Sequence, residues 1–183
     1  LALCRSQVIH QKQDTLPDLV IAVGGGTAMD MAKMIAIFAE TDRPPLDFVE
    51  GRAELKAKTI PLIALPTTAG SGSQATHFAA VYVDKTKYSV AHPSMLPDVA
   101  LVDPDFLNAL PTHVAAASGL DALNQGIESF WSIHATEASR AKAREAITLA
   151  WKHLPAMVLE KSEEARLGMA RAAHLAGEAI DVT

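Results

Sequence analysis

Three stretches of this chain carry residue types at spacings that can do chemistry. In GLDALNQGIESFWS, residues 119 to 132, a helix puts Asp121, Gln125 and Glu128 at i, i+4 and i+7 on one face, and Leu120, Leu123, Ile127 and Phe130 on another. The polar face is either solvated surface or half of a metal site completed from elsewhere. Gly24-Gly25-Gly26-Thr27 lies between an apolar run and a helical pattern. Consecutive glycines allow close approach of a ligand, and the free N–H groups and dipole of a helix start attract an anion such as a pyrophosphate, with the Thr27 hydroxyl as a further donor. A tight strand-to-helix turn would use the same glycines, and the stretch is neither a GxGxxG fingerprint nor a P-loop, because no GK[ST] follows. The third stretch, PTTAGSGS from Pro66 to Ser73, interleaves small hydroxyl residues with glycine directly after another apolar run. Such a loop suits phosphate or ribose contacts at the carboxyl edge of a parallel sheet. Either loop alone is explained by a turn or a flexible linker; two at the ends of adjacent strands favour a nucleotide.

The elements that must position these residues are legible in outline. DLVIAV (Asp18 to Val23) and IPLIAL (Ile60 to Leu65) are compact apolar runs that read as buried parallel strands. Ala28 to Glu40 has helical spacing and is closed by the prolines of TDRPPLDF. AAVYVD and YSVAHP flank a tight Lys85-Thr86 connection as a hairpin, and DVALVD, Asp98 to Asp103, reads as a further strand. From His113 onward the chain is Ala-rich and helical, with Thr136 and Ser162 as N-caps, Glu163-Glu164 as first-turn acids that complement the helix dipole, and Pro155 as a break between helices. The expected organisation is an α/β domain over residues 1–105 and an all-helical domain over 106–183. In the helical half, Asp121 and Gln125 are expected to face the cleft between the domains, opposite a Leu/Ile packing stripe.

Composition excludes several classes. The chain has 183 residues, 49% of them hydrophobic, and a formal net charge of −5, which leaves no basic footprint for a nucleic acid. No apolar run is long enough to span a bilayer. The single cysteine, Cys4, cannot form an internal disulfide, and LALCRSQVIHQKQD lacks the order of a signal peptide, so the cytoplasm is the expected compartment. The seven histidines, His10, His77, His92, His113, His134, His153 and His174, form no HxxxH or HxH pair and read as surface or packing residues. Phe130 and Trp131 read as helix-packing residues, and Glu128 and Glu137 as solvated or capping ones. The start at Leu1 and the end at AGEAIDVT, without a helix-closing signal, read as the visible part of something longer.

Taken in order and spacing, Gly24-Gly25-Gly26-Thr27 with Asp30 and Lys33, then PTTAGSGS, LPDVALVDP, and LP followed by AASGLDAL and IES, resemble the iron-containing (group III) alcohol dehydrogenase family from about residue 17 to the end. The resemblance implies a nucleotide-binding parallel-sheet domain followed by a helical domain, the dehydroquinate synthase-like architecture, of which this chain would be the central part. It implies NAD or NADP and a divalent metal, iron or zinc, meeting in the cleft, a small aldehyde or alcohol as substrate, and a homodimer as the candidate assembly. By position it implies that Gly25, Gly26 and Thr27 hold the pyrophosphate and that Thr67, Thr68 and Ser71 surround the phosphates and the nicotinamide side. Lys87 would reach the ribose region, Phe106 would pack near the cofactor, and Asp30 would count among the cofactor-binding positions. Asp121 matches the first metal-binding aspartate. The metal would polarise the carbonyl while the nicotinamide transfers hydride.

Two departures stand out. The family's histidine four residues after the aspartate is Gln125 here, a neutral and weaker ligand, and the glutamate after GS is Gln74. The family's two remaining histidine ligands would lie beyond Thr183, and its first nucleotide-binding strand and helix before Leu1. QATHFAAVYVD, KYSVAHPSMLPD and Gln125 are most similar to a branch that includes phosphonoacetaldehyde reductases. The alternatives are a dehydroquinate synthase-type lyase, against which LPTTAGSGS and GLDAL argue, and a nucleotide-binding module made inactive by Gln125. A purely structural domain would have no need for the two loops.

Overall fold

A computed structural model describes residues 17–39 and 41–183; the readings of Cys4, His10 and the opening LALCRSQVIHQKQD lie outside them. Strand β1 is Val20–Gly24, helix α1 Gly26–Phe38, the short helix α2 Pro45–Val49, strand β2 Leu62–Pro66, and the hairpin strands β3 Phe78–Val83 and β4 Thr86–Ala91. Strand β5 is Val99–Ala100, and three long helices follow: α3 Thr112–Trp131, α4 Glu137–Leu159 and α5 Glu163–Ile180. The α/β half followed by a helical half is therefore present.

The parallel sheet has the order β1-β2-β5, with Val20 opposite Leu62 and Gly24 opposite Pro66. That register makes the two strands end at the same level, so both loops leave the sheet from one edge. Leu62 and Ala64 are fully buried and Ala22 nearly so, packed with Met29 and Ala32 of α1. The strands are not buried on both faces, however. Ile21 is 58% exposed, Val23 54% and Val99 49%, because among the described residues α1 covers only one side of the sheet. Continuous apolar runs are typical of parallel strands covered twice, which is why the pattern reads as fully buried. The strand expected over Asp98 to Asp103 shortens to two residues, since Asp103 accepts from Asp105 N and, with Pro104, turns the chain into a 3₁₀ turn, Pro104–Leu107.

The hairpin forms, one residue earlier than the sequence places it. Asp84 and Lys85, at φ 46° and 71°, make the turn, and Thr86 already belongs to β4. Two left-handed residues match the right-handed twist of the flanking strands.

In the helical half, Thr136 accepts from Ser139 N and forms a capping box, and Ser162 accepts from Ala165 N. Pro155 does not break the helix. It lies inside α4 on its exposed side, and α4 continues to Leu159 because burial of His153 and Met157 against the neighbouring helices outweighs one missing backbone bond. The packing face of α3 also differs from the expected one. Ala115, Gly119, Ala122, Gly126 and Ser129 are buried, whereas Leu120 is 51% and Trp131 72% exposed. Leu123 remains packed against the core, and Phe130, also on the exposed side, carries the Arg144 guanidinium 5.6 Å from its ring centroid. The reason is close approach: a Cβ on Gly119 would stand 2.3 Å from Leu154 Cδ1, and one on Gly126 3.0 Å from Ile147 Cγ1. Small residues let helices come near enough to fill the space with their neighbours' larger side chains. No described helix is long and apolar enough to cross a membrane.

Candidate functional site

Gly24 closes β1 and Gly25 is the N-cap of α1, whose first ladder bond is Met29 N to Gly25 O at 3.2 Å. The N–H groups of Gly26, Thr27 and Ala28 precede that ladder and are available to a ligand, and no acid occupies the first turn. Gly24 has no room for a side chain, since a Cβ would come within 2.6 Å of Ala28 Cβ.

The second loop lies directly against the first. Thr67 N donates to Gly24 O at 2.9 Å, which joins the two loops where they leave their strands. A Cβ on Gly25 would stand 3.3 Å from Thr68 Oγ1, and one on Gly26 2.7 Å from Ser71 Oγ. Bare glycine backbone thus faces two hydroxyl side chains across a gap that only glycine leaves open. The structure brings together Gly25, Gly26, Thr67, Thr68 and Ser71, with Thr27 exposed on the next residue of α1. Phe106 and Lys87 belong to other elements. Phe106 is 40% exposed on the turn after β5, and Lys87 is exposed on β4 opposite Tyr82, with no hydrogen bond or ion pair from either side chain to the two loops among the described residues.

Asp30 is one turn into α1, and both of its oxygens are used within the chain. Ser73 Oγ donates to Oδ1 at 2.6 Å and Ala80 N to Oδ2 at 3.0 Å. Beside it Lys33 is completely buried, with Nζ donating to Thr76 Oγ1 at 2.8 Å and Phe78 O at 2.7 Å, and 4.0 Å from Asp30 Oδ1. Burial pushes the Lys33 ammonium down to about 8, against the opposing influence of Asp30 and Asp181. A lysine among Met29, Ala32, Met34, Ala36 and Ile37 on the apolar face of a helix was a signal for this network that the sequence reading left unused.

Helix α5 holds the second loop from the other side. Gly72, at φ 60°, meets Gly177 backbone to backbone, and a Cβ on Gly72 would stand 2.5 Å from Gly177 Cα. Gln74, in the place of the family's glutamate, is buried with Nε2 3.5 Å from His174 Nδ1. Asp181 Oδ1 accepts from His77 N at 2.6 Å and lies 2.6 Å from His77 Nδ1. His174, Gly177 and Asp181 recur on one face of the helix, so a single face of α5 clasps residues 72 to 77. Sequence reasoning missed His77, His174 and Asp181 because their partners are about a hundred residues away.

Helix α3 meets the same loop at Ser118, whose backbone and Cβ lie 2.8 Å from where a Cβ on Gly70 would be. Gln125 is two turns further along that side of the helix, and Asp121 lies between them. Asp121 is exposed, and Gln125 Nε2 donates to Asp121 Oδ2 at 3.2 Å. The amide oxygen, Gln125 Oε1, is buried and accepts no hydrogen bond. The amide turns its nitrogen to the carboxylate, so rotation of the Gln125 amide would bring the orphaned oxygen beside Asp121 as a donor pair suited to a divalent cation. Among the described residues no group of three or more His, Cys, Asp or Glu is placed to hold a metal, so this pair would be only part of a coordination shell.

Comparison with known proteins follows the same lines. Residues 6–104 match the family model of iron-containing alcohol dehydrogenase, and residues 115–183 that of the Fe-containing alcohol dehydrogenase family, C-terminal. The chain is 40% identical over 166 residues to Long-chain-alcohol dehydrogenase 1 of Geobacillus thermodenitrificans, covering 89% of this chain and 42% of that protein. It is 37% identical over 172 residues to phosphonoacetaldehyde reductase of Streptomyces viridochromogenes, covering 89% and 44%. Among solved structures, sulfoacetaldehyde reductase from Bifidobacterium kashiwanohense in complex with NAD+ superposes with a TM-score of 0.91 at 34% identity, covering 99% of this chain and 48% of that one. The chain therefore spans less than half the length of these relatives. With one family model running through both glycine-hydroxyl loops and the other through most of α3 and all of α4 and α5, the chain belongs to the iron-containing alcohol dehydrogenase family.

Proposed function

We propose that this chain is the dinucleotide-holding and part of the metal-holding portion of an NAD(P)-dependent alcohol dehydrogenase or aldehyde reductase. The observation that carries the reading is the cradle in which Gly25 and Gly26 face Thr68 and Ser71 at the carboxyl edge of a parallel sheet. The free N–H groups at the start of α1 and the hydroxyls opposite them would bind the pyrophosphate of a nicotinamide dinucleotide. Phe106 and Lys87 would serve the cofactor from the sheet edge and the hairpin. Asp121 and Gln125 Oε1 would hold two positions of a divalent metal, iron or zinc. Bound there, the metal supplies a Lewis acid for a carbonyl or alkoxide oxygen. The chain's own task is to fix the dinucleotide on one side of the cleft and the two oxygen donors on the other.

A lyase reading is not favoured, because the relatives named above are dehydrogenases and reductases. For substrate, we propose a small aldehyde bearing an anionic group. Two of those relatives are named for acetaldehydes carrying a phosphonate or a sulfonate. The similarity to a long-chain alcohol dehydrogenase favours the competing choice.

Titration of the full-length protein with NADH and NADPH, followed by nicotinamide fluorescence, tests the cradle. Gly25→Val would drive its methyl groups into Thr68 and is expected to weaken binding at least about ten-fold, as overpacking of a tight contact does. Equal affinity of Gly25→Val and wild type would refute a phosphate role for this loop.

A further inference from the structure

We infer that Asp30 is a positioning residue for the dinucleotide loop, its carboxylate tying Ser73 to α1 and β3 and so holding Thr68 and Ser71 over the start of α1. The inference rests on the dinucleotide reading above and changes what Asp30 does within it. The Asp30 side chain is only 17% exposed, and its two oxygens accept from Ser73 Oγ at 2.6 Å and Ala80 N at 3.0 Å. A carboxylate engaged twice within the chain is directed at the loop's far end and away from a phosphate, which it would repel.

The loop needs such an anchor. Between Thr68 and Ser73 it has two glycines, Gly70 and Gly72, and Gly72 is left-handed at φ 60°. Segments of this composition lose most conformational freedom on ordering, and a ligand that had to order them would bind more weakly. Here the order exists beforehand. Asp30 holds Ser73 from the α1 side, Gly177 closes against Gly72 from the α5 side, and Ser73 N donates to Ser71 Oγ at 3.4 Å. Lys33 Nζ, 4.0 Å from Asp30 Oδ1 and bonded to Thr76 Oγ1, braces the carboxylate and the end of the same loop. Ser71 is the residue that this bracing delivers against Gly26. Removing Ser73 Oγ leaves the Ala80 bond and the Lys33 contacts in place while cutting the loop's hydrogen bond to Asp30.

The test uses the full-length protein with Ser73→Ala, Ser73→Thr and Asp30→Asn, probed with NADH, ADP-ribose and AMP. Loss of one hydrogen bond to a charged group should raise the Kd for NADH and ADP-ribose about ten-fold in Ser73→Ala. AMP lacks the pyrophosphate and should bind almost as before, as should the aldehyde at saturating dinucleotide. Ser73→Thr should restore affinity, and Asp30→Asn should repeat the loss. Amide exchange of ligand-free wild type needs no variant: Ala80 N–H, bonded to Asp30, should exchange slowly. Unchanged NADH affinity in folded Ser73→Ala and Asp30→Asn, an equal loss for AMP, failure of Ser73→Thr to restore binding, or rapid exchange at Ala80 each overturns the positioning role. Wild type that binds neither NADH, NADPH nor ADP-ribose overturns the dinucleotide reading itself.

Discussion

Lys33 gives the network a thermodynamic signature that can be measured. The ammonium is completely buried, and burial lowers its pKa from 10.5 to about 8. The charged groups facing it are Asp30, on its own helix, and Asp181, beyond the end of α5, and both oppose the shift. In the unfolded chain Lys33 is half deprotonated at about pH 10.5, whereas in the fold it reaches that point near 8. Between those values the unfolded state binds more protons, so stability rises with pH; the contribution is complete above 10.5 and is lost as pH falls through about 8. The whole shift corresponds to about 3 kcal/mol, of which about 1 kcal/mol develops between neutral pH and pH 9. Urea unfolding of wild type and Lys33→Met at both pH values isolates this part, because groups that titrate alike in the two proteins cancel. Wild type should gain about 1 kcal/mol on Lys33→Met over that interval. At neutral pH the variant should be nearly as stable as wild type, since relief from a buried charge offsets the lost bonds to Thr76 and Phe78. Parallel pH dependences, or a wild type that loses ground as pH rises, would refute the claim that burial dominates at Lys33.

Two further predictions concern the other side of the cleft and the substrate. In the full-length protein, Asp121→Ala should lose both bound metal and turnover, while Gln125→His, which supplies an imidazole in place of an amide oxygen, should retain zinc or iron better through dialysis; full activity of metal-free Asp121→Ala would show that the Asp121–Gln125 pair is structural. In a competition assay of cofactor oxidation, phosphonoacetaldehyde should be reduced in preference to longer aliphatic aldehydes, and a clear preference for the latter would move the chain toward its long-chain relative.

The sequence by itself determined the features that depend on neighbouring residues. An apolar run followed by three glycines and a helical pattern can hardly form anything other than strand, turn and helix, so β1, α1 and the loop between them were legible, as were β2 with its hydroxyl loop. The N-caps Thr136 and Ser162 were legible for the same reason, because a cap bonds an amide three residues away. What only the tertiary structure decided depends on distance between elements. The Leu/Ile stripe of α3 reads as its packing face, yet the interface uses Gly119 and Gly126, because the separation of the helices selects for small residues there and periodicity carries no information on that separation. Pro155 stays within α4 because burial of residues before and after it holds the helix together, a force absent from the local sequence. The partners of Asp30 are of the same kind: Ser73 and Ala80, which bond its two oxygens, lie more than forty residues away, and no local pattern announces them. A side chain's identity states which bonds it can make; the fold chooses its partners by bringing them within reach and excluding the water that would otherwise take their place.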